Sequence, residues 1–288
     1  MTPPPLPPGR HLELAGRGRT FVRELPGPAG APTLVLLHGW TAPSDLTWFR
    51  CYEALGRSFG VVAIDQRGHG RGMRTPERFS LEACADDAAA VIELLDLGAA
   101  RPVIAVGYSM GGCVAQHLWR RHHAIDGLVL CATSGVFAES ADERRYFAAL
   151  GGLAVASRLT PGPLRRRLAR RVVGRRVVEC ELQEWILDEL HRNDITALLE
   201  AGNALGRFDS RSWSAGIDVP AGVVVTTADR QVRPARQRAL AASIPGASVH
   251  DVDGGHDACV SLSERFLPAL LAACHSVAAR AGAAVPAP

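Results

Sequence analysis

The chain has 288 residues, a formal net charge of +3 at pH 7, 47% hydrophobic residues and 21% charged residues. This composition is ordinary for a globular protein and excludes wholesale disorder. No run approaches the roughly 20 apolar residues of a membrane span, and the small net charge argues against nucleic acid as a partner. The length suits one large α/β domain, or a core domain with an insertion.

The N-terminal residues and the cysteines favour a cytoplasmic location. The opening MTPPPLPPGR has no basic segment followed by an apolar stretch, so we expect no secretory signal. The seven cysteines are odd in number and widely spaced, which fits neither a disulfide framework nor a zinc site. We therefore expect buried free thiols in a reducing cytoplasm, and no bound metal.

The predicted elements begin with a short antiparallel hairpin. Residues 11–14 and 20–25 are extended runs joined by a turn that contains glycine. Residues 1–9 are rich in proline and residues 281–288 lack apolar periodicity, so we expect both segments to be mobile tails.

From Thr33 onward, apolar runs rich in β-branched residues alternate with helix-like segments. Such runs predict strands buried on both faces of a sheet, here at residues 33–38, 61–65, 102–108, 127–133, 221–227 and 247–252. The helix-like segments between them are residues 46–59, 80–98, 110–123 and 234–244. In the second of these, Ser80 is placed to cap the helix and Gly98 to end it. The alternation predicts an α/β fold with a mostly parallel central sheet flanked by helices.

One long segment interrupts this alternation. Between Thr133 and Ala221 the sequence is helix-like and loop-like, and it contains no convincing buried strand. A structureless loop of that length does not occur in a compact domain, so residues 135–213 are predicted to form a helical insertion. The core is then built from residues 10–134 and 214–280.

The strongest chemical signal is Gly107-Tyr108-Ser109-Met110-Gly111, which lies where a predicted strand ends and a helix begins. A serine on that sharp turn projects its hydroxyl from the sheet edge, and the glycines let neighbouring backbone pass close by. Ser109 is therefore the candidate nucleophile.

His256 and Asp229 are the candidate base and acid. A serine hydroxyl needs a base to take its proton, and the base needs an acid to orient it. His256 follows the last predicted strand and Asp229 follows the strand before it, which gives the chain order Ser, Asp, His. Since parallel strands end at one sheet edge, we expect the three side chains to converge. The alternative for Asp229 is a turn or helix-capping carboxylate.

Two backbone N–H groups are candidate donors to a developing oxyanion. The N–H of Met110 lies at the start of its helix, where the helix dipole helps, and Trp40 follows the first buried strand. Trp40 can also be a core aromatic, because the donor is its backbone. In the segment 65–70 we expect structural roles, with Arg67 bonding loop carbonyls and His69 excluded as the base.

Together, HGW at 38–40, DQRGHGRG at 65–72, GYSMGG at 107–112, Asp229 and GGH at 254–256 resemble the α/β-hydrolase fold superfamily, in its order and at its spacing. The resemblance covers about residues 11–280. It implies an α/β-hydrolase fold in which the insertion is a helical cap after the sixth strand. It also implies a cofactor-free serine hydrolase, esterase-like or lipase-like, that cleaves a carboxylic ester or related acyl bond of a small molecule.

Two features of the insertion bear on the substrate. Candidates for an apolar acyl pocket, with core packing as the alternative, are three aromatic residues of the insertion, Trp185, Phe208 and Trp213, together with Trp48 and Phe49 of the core. Between Arg158 and Arg176 there are eight arginines and no acid. These arginines either attract an anionic substrate or a membrane surface, or form a solvated helix face.

Other functions stay open at this point. The same three residues serve C–C bond hydrolysis, lactone hydrolysis, perhydrolysis or acyl transfer elsewhere in this superfamily. A ligand-binding receptor with little turnover is a second alternative. A peptidase of the proline-iminopeptidase kind is a third, and it needs an anionic group in the cap, for which Glu179, Glu181 and Glu184 are the candidates.

Overall fold

The computed structural model describes residues 4–164 and 181–283. These residues form an eight-stranded sheet in the order β1-β2-β4-β3-β5-β6-β7-β8. The strands are β1 Gly9–Leu14, β2 Gly18–Leu25, β3 Thr33–Leu37, β4 Gly60–Asp65, β5 Val103–Tyr108, β6 Gly127–Cys131, β7 Ala221–Thr226 and β8 Ser248–Val252. The hairpin β1-β2 is antiparallel and β2 pairs antiparallel with β4, whereas β3 to β8 are all parallel. The predicted mostly parallel sheet is confirmed.

The central strands are buried on both faces, as their continuous apolar sequences predict. Every residue of β3 to β7 is buried. Among the described residues, hydrophobic clusters lie on both faces of the sheet. The same prediction for residues 247–252 is wrong, because β8 is an edge strand that pairs only with β7 and leaves Val249 45% exposed.

Helices cover the sheet at the predicted places. Those with both ends among the described residues are α1 Ser44–Trp48, α2 Tyr52–Gly56, α3 Leu81–Leu94, α4 Met110–His122, α5 Ala141–Leu159, α6 Gln183–His191, α7 Ile195–Arg207, α8 Pro234–Ser243, α9 Ala258–Ser261 and α10 Ser263–Arg280. The segment 46–59, predicted as one helical element, contains parts of the two short helices α1 and α2. The C-terminal helix α10 was not among the predicted helices.

The two ends of α3 show how local sequence fixes a helix. The Oγ of Ser80 accepts the N–H of Ala83 at 3.0 Å, as the predicted cap requires. At the other end Asp96, with φ of 51°, takes the left-handed position, and the N–H of Leu97 donates to the carbonyl of Ile92 at 3.1 Å. This is the αL termination that glycine normally supplies, so the expectation that Gly98 ends the helix is wrong.

The insertion between β6 and β7 is helical in its described parts, which include α5, α6 and α7. Its two ends meet in an isolated antiparallel bridge between Val136 and Asp209. On this basis we propose residues 135–213 as the cap. Arg158 lies in α5, whereas the arginines at 165–176 lie outside the described residues.

Buried ion pairs join the cap to the core. Arg71 donates to both carboxylate oxygens of Glu189 in α6, at 2.6 and 2.9 Å, and to Asp45 at 3.1 Å. Arg23 forms two further bonds to Asp45, at 2.5 and 2.7 Å. Because Glu189 is only 1% exposed, Arg71 replaces the water that would solvate an exposed carboxylate.

The N-terminal segment is more ordered than its proline content predicts. The carbonyl of Pro7 accepts from the guanidinium of Arg23 at 2.6 Å, and the carbonyl of Pro8 accepts the N–H of Glu24 at 3.0 Å. Gly9 already belongs to β1. The prediction of a mobile tail is therefore wrong for Pro7 to Gly9, because these residues pair along β2.

All six described cysteines are buried free thiols, as expected, and the seventh, Cys180, lies outside the described residues. Within residues 4–164 and 181–283, no helix has the length and apolar character to cross a bilayer.

Candidate active site

Ser109 occupies the sharp turn between β5 and α4. Its backbone has φ of 52° and ψ of −114°, a conformation that an L-residue adopts only when its surroundings enforce it. The N–H of Ser109 donates to the carbonyl of Cys131 at 2.8 Å, and its carbonyl accepts from the hydroxyl of Thr133 at 2.7 Å. The end of β6 and the residues directly after it thus hold both the N–H and the carbonyl of Ser109.

The flanking glycines are required by close backbone approach. A Cβ added at Gly107 would lie 2.3 Å from the carbonyl oxygen of Gly111, and one at Gly111 would lie 2.0 Å from that of Leu37. The end of β3 therefore runs against the turn, and the residues that follow it reach the serine: a Cβ at Gly39 would lie 3.6 Å from the Cβ of Ser109.

Ser109, His256 and Asp229 are brought together by three different loops. The Nδ1 of His256 lies 2.7 Å from Oδ2 of Asp229, and its Nε2 lies 3.0 Å from Oγ of Ser109. Because a buried carboxylate only accepts, the proton is on Nδ1 and Nε2 is free to accept the serine hydroxyl. The three residues predicted from sequence order form one continuous hydrogen-bonded line.

Asp229 is 3% exposed and both of its carboxylate oxygens are bonded. Oδ2 also accepts from the hydroxyl of Thr226 at 2.9 Å and from Nε2 of Gln237 at 3.2 Å. Oδ1 accepts two backbone N–H groups of the following turn, those of Gln231 and Val232. Burial raises the pKa of Asp229. The hydrogen bond from His256, the positive charge of the imidazole when it is protonated, and the two backbone donors lower this pKa by more, so it lies below its ordinary value. The carboxylate is therefore ionised at neutral pH.

Thr226 and Gln237 are supporting residues that sequence reasoning missed. Thr226 ends β7 and Gln237 lies in α8, where it also donates to the carbonyl of Val232 at 2.7 Å. A polar residue on the inner face of a helix was the only available signal, and it does not identify a partner.

The segment after β3 is held by His38, which is completely buried. Its Nδ1–H donates to the carbonyl of Gly39 at 2.8 Å, and its Nε2 accepts the N–H of Gln66 at 3.0 Å. Burial holds the pKa of His38 well below the ordinary value of 6.5, so the ring stays neutral and keeps this tautomer. Trp40 follows in this segment, and Met110 is the first residue of α4.

The segment 65–70 has a structural role, but not through the expected contacts. Arg67 donates to both oxygens of Asp87 in α3, at 2.7 and 2.9 Å, rather than to loop carbonyls, because a carboxylate matches the guanidinium fork. The Nδ1–H of His69 donates to the carbonyl of Arg67 at 3.0 Å, and burial lowers the pKa of His69 to about 4. His69 is bonded within its own loop.

The five aromatic residues predicted to line a pocket do not share one site. Trp48 is completely buried and packs edge-on against Tyr108, which places it in the core. Phe49 and Trp185 form an edge-to-face pair between α1 and α6, with ring centroids 5.2 Å apart. Phe208 and Trp213 pack against His117 of α4, with ring centroids 5.4 and 5.9 Å from that of His117. The five rings thus lie in three separate places, and their role in binding an acyl group stays a prediction.

Phe208, Trp213 and His117 line a cavity of about 430 Å³ between the cap and α3 and α4. A second cavity, of about 280 Å³, lies between the cap and the 67–79 loop. Ser109 lines neither cavity. No group of three or more His, Cys, Asp or Glu side chains able to hold a metal occurs in the part of the chain that the structure describes. Glu181 and Glu184 of the cap are solvent-exposed, and Glu179 lies outside the described residues.

The strand order and the turn that carries Ser109 define an α/β hydrolase, and sequence comparison agrees. The profile of the alpha/beta hydrolase family matches residues 34–269, so the chain belongs to this family and is a hydrolase. A pimeloyl-[acyl-carrier protein] methyl ester esterase of Chromobacterium violaceum is 30% identical over 244 residues, which are 83% of this chain and 92% of that protein.

Solved structures show the same fold. A hydrolase from Pseudomonas aeruginosa has a TM-score of 0.75 and 24% identity, and covers 92% of this chain and 98% of its own. An enol-lactonase from Burkholderia xenovorans has a TM-score of 0.73 and 24% identity, and covers 92% of this chain and 100% of its own. The predicted α/β-hydrolase fold is confirmed.

Proposed function

We propose that the protein is a serine hydrolase that cleaves a carboxylic ester through an acyl-enzyme on Ser109. The observation that carries this proposal is the hydrogen-bonded line from Ser109 through His256 to Asp229, with separations of 3.0 and 2.7 Å. In this line the hydroxyl faces Nε2 of the imidazole, and Nδ1 of the imidazole faces an ionised carboxylate, which is the arrangement that activates a serine.

In the first half-reaction, Oγ of Ser109 attacks the ester carbonyl while Nε2 of His256 takes the hydroxyl proton. Asp229 holds Nδ1–H and stabilises the imidazolium that forms. The tetrahedral intermediate collapses when His256 returns the proton to the alkoxide, and the alcohol leaves. The four donors around Asp229 keep its carboxylate in place throughout.

The negative charge on the carbonyl oxygen is assigned to the backbone N–H groups of Met110 and Trp40. The N–H of Met110 is at the positive end of α4, and Trp40 lies in the segment that the glycine contacts bring next to Ser109. Such fixed donors stabilise the transition state more than the ground state.

In the second half-reaction, water takes the place of the alcohol. His256 removes a proton from the water as it attacks the acyl-enzyme, and then returns that proton to Oγ of Ser109. The carboxylic acid leaves and the free serine is restored, so the cycle needs no cofactor.

The relative from Chromobacterium violaceum supports an ester of a small alcohol as the first substrate class to test. Methyl and p-nitrophenyl esters of increasing acyl length would define the acyl preference.

The buried free thiols support a reducing compartment, and we propose a cytoplasmic location, which cell fractionation with an antibody tests.

Labelling with a fluorophosphonate, followed by mass spectrometry, tests the nucleophile. We expect one label, on Ser109, and none on the Ser109→Ala variant, which should fold normally and hydrolyse no ester. Folded wild-type protein that takes no label, or a Ser109→Ala variant that retains ester hydrolysis, would contradict the proposal. Unlabelled protein that still binds esters tightly would favour the receptor alternative.

A further inference from the structure

The segment of residues 38–41, which contains the Trp40 donor, has a strained backbone conformation that needs contacts from outside the segment. Thr41, directly after Trp40, has φ of 73°, and a β-branched residue in the left-handed region is strained. From the core, His38 fixes the beginning of this segment through its bond to the carbonyl of Gly39. The strained end of the segment must be held from elsewhere.

The cap supplies that restraint. The Nδ2–H of Asn193 donates to the carbonyl of Thr41 at 2.7 Å. The Nε1–H of Trp40 donates to the carbonyl of Leu198, in α7, at 2.8 Å. The indole ring also lies against the backbone of α7, since a Cβ added at Gly202 would be 2.6 Å from it. Both residues that follow Gly39 are therefore bonded to the cap.

Asn193 is itself firmly placed. Its Oδ1 accepts the N–H of Gly70 in the core, at 2.8 Å. The next residue, Asp194, caps α7 by accepting the N–H groups of Thr196 and Ala197, and its own N–H donates to the carbonyl of Gly68 at 2.8 Å. Asn193 thus links the first turn of α7, the 68–70 loop and Thr41 in one rigid junction.

We propose that Asn193 is a positioning residue through which the cap sets the orientation of the Trp40 oxyanion donor. The inference rests on the proposed function and deepens it. Without the bond from Asn193, Thr41 relaxes out of the left-handed region and turns the Trp40 N–H away from the reacting carbonyl oxygen. This donor acts on the charged transition state, so its loss lowers kcat and leaves KM nearly unchanged.

Two variants separate this role from general loosening of the cap. Asn193→Asp keeps an oxygen for the N–H of Gly70 but places a second oxygen against the carbonyl of Thr41. Arg158→Gln is the control, because Arg158 joins α5 to the core through the carbonyls of Pro76 and Glu77, and to α7 through Glu200, and forms no hydrogen bond to the Trp40 segment.

With a neutral short-chain ester, we expect Asn193→Asp to lower kcat about 10- to 100-fold. This decrease is no larger than the decrease in kcat that follows complete removal of one oxyanion donor. KM should stay within about twofold, and the inhibition constant of a trifluoromethyl ketone, which forms an oxyanion in the same place, should rise by the same factor as kcat falls. Arg158→Gln should keep wild-type kcat. Wild-type kcat in Asn193→Asp, or an equal loss in both variants, would overturn the inference.

A measurement independent of turnover distinguishes this inference from the proposed function. Hydrogen exchange of the amides at residues 39–42 should accelerate in Asn193→Asp and stay as in wild type in Arg158→Gln. If no ester is hydrolysed, the proposed function fails, while unchanged exchange in Asn193→Asp refutes the positioning role. If Asn193→Asp does not fold, Asn193→Ala, which removes the bonds to Thr41 and Gly70 without adding a negative charge, takes its place with the same expected split between kcat and KM.

Discussion

Replacement of Gly111 by alanine tests whether the sharp turn that carries Ser109 depends on backbone contact with β3. The added Cβ would lie 2.0 Å from the carbonyl oxygen of Leu37 and 2.7 Å from that of His38, whereas ordinary contact begins at 3.4 Å. Neither obstacle is a side chain that can rotate away. To restore ordinary contact, the start of α4 and the end of β3 must separate by about 1.4 Å, as follows from these distances.

This separation lowers the free energy of unfolding, as the insertion of extra atoms into other well-packed interiors does. We expect Gly111→Ala to lose about 3 kcal/mol of unfolding free energy, at the upper end of overpacking costs, even though alanine favours a helix by about 1 kcal/mol over glycine. For a chain of this size, Tm falls by roughly 6 to 12 °C. A shift of more than 1 Å between Ser109 and the Trp40 segment should also lower kcat by about 100-fold or more.

The assays are thermal unfolding by circular dichroism and hydrolysis of a short-chain p-nitrophenyl ester. Gly98→Ala is the matched control, because a Cβ at Gly98 meets no atom within 4 Å. It should be neutral or slightly stabilising and fully active. A Gly111→Ala protein with the stability and kcat of Gly98→Ala would refute the reasoning that the end of β3 packs against the turn that carries Ser109.

Three further predictions follow. Asp229→Asn should lower kcat about 10⁴-fold with unchanged circular dichroism, because an amide no longer stabilises the imidazolium; steady-state kinetics decide it, and a loss below tenfold would contradict the role. His69→Asn should reduce the pH dependence of stability: in the unfolded chain the imidazole of His69 is protonated below about pH 6.5, whereas the buried ring is protonated only below about pH 4. Wild type therefore loses about 3 kcal/mol through this residue over that fall in pH, and the variant should lose about 3 kcal/mol less than wild type, as urea unfolding at each pH would show. Glu189→Ala should cost about 3 kcal/mol in urea unfolding, since it leaves Arg71 half paired, against less than about 1 kcal/mol for Arg192→Ala, whose side chain is 45% exposed; equal losses would show that burial of the pair is unimportant.

Local sequence was sufficient to predict a feature wherever the interacting residues are close in sequence, or wherever the topology of the fold brings them together. Ser80 caps α3 because its acceptor lies three residues from the donor. Ser109, Asp229 and His256 were found because each follows a strand, and parallel strands deliver their following residues to one edge. Arg67 was assigned to the correct kind of role but the wrong partner, since its choice of Asp87 depends on how α3 packs.

What the sequence alone determined is the sheet, the helices that cover it apart from α10, and the edge at which the polar residues meet. Periodicity and strand-to-helix order carry that information, because they follow from burial. Only the tertiary structure decided how the cap docks. The bonds from Asn193 to Thr41 and from Arg71 to Glu189 join residues 152 and 118 positions apart. Each is an ordinary polar side chain in its own segment, and its partner is defined only when two separately formed surfaces come into contact.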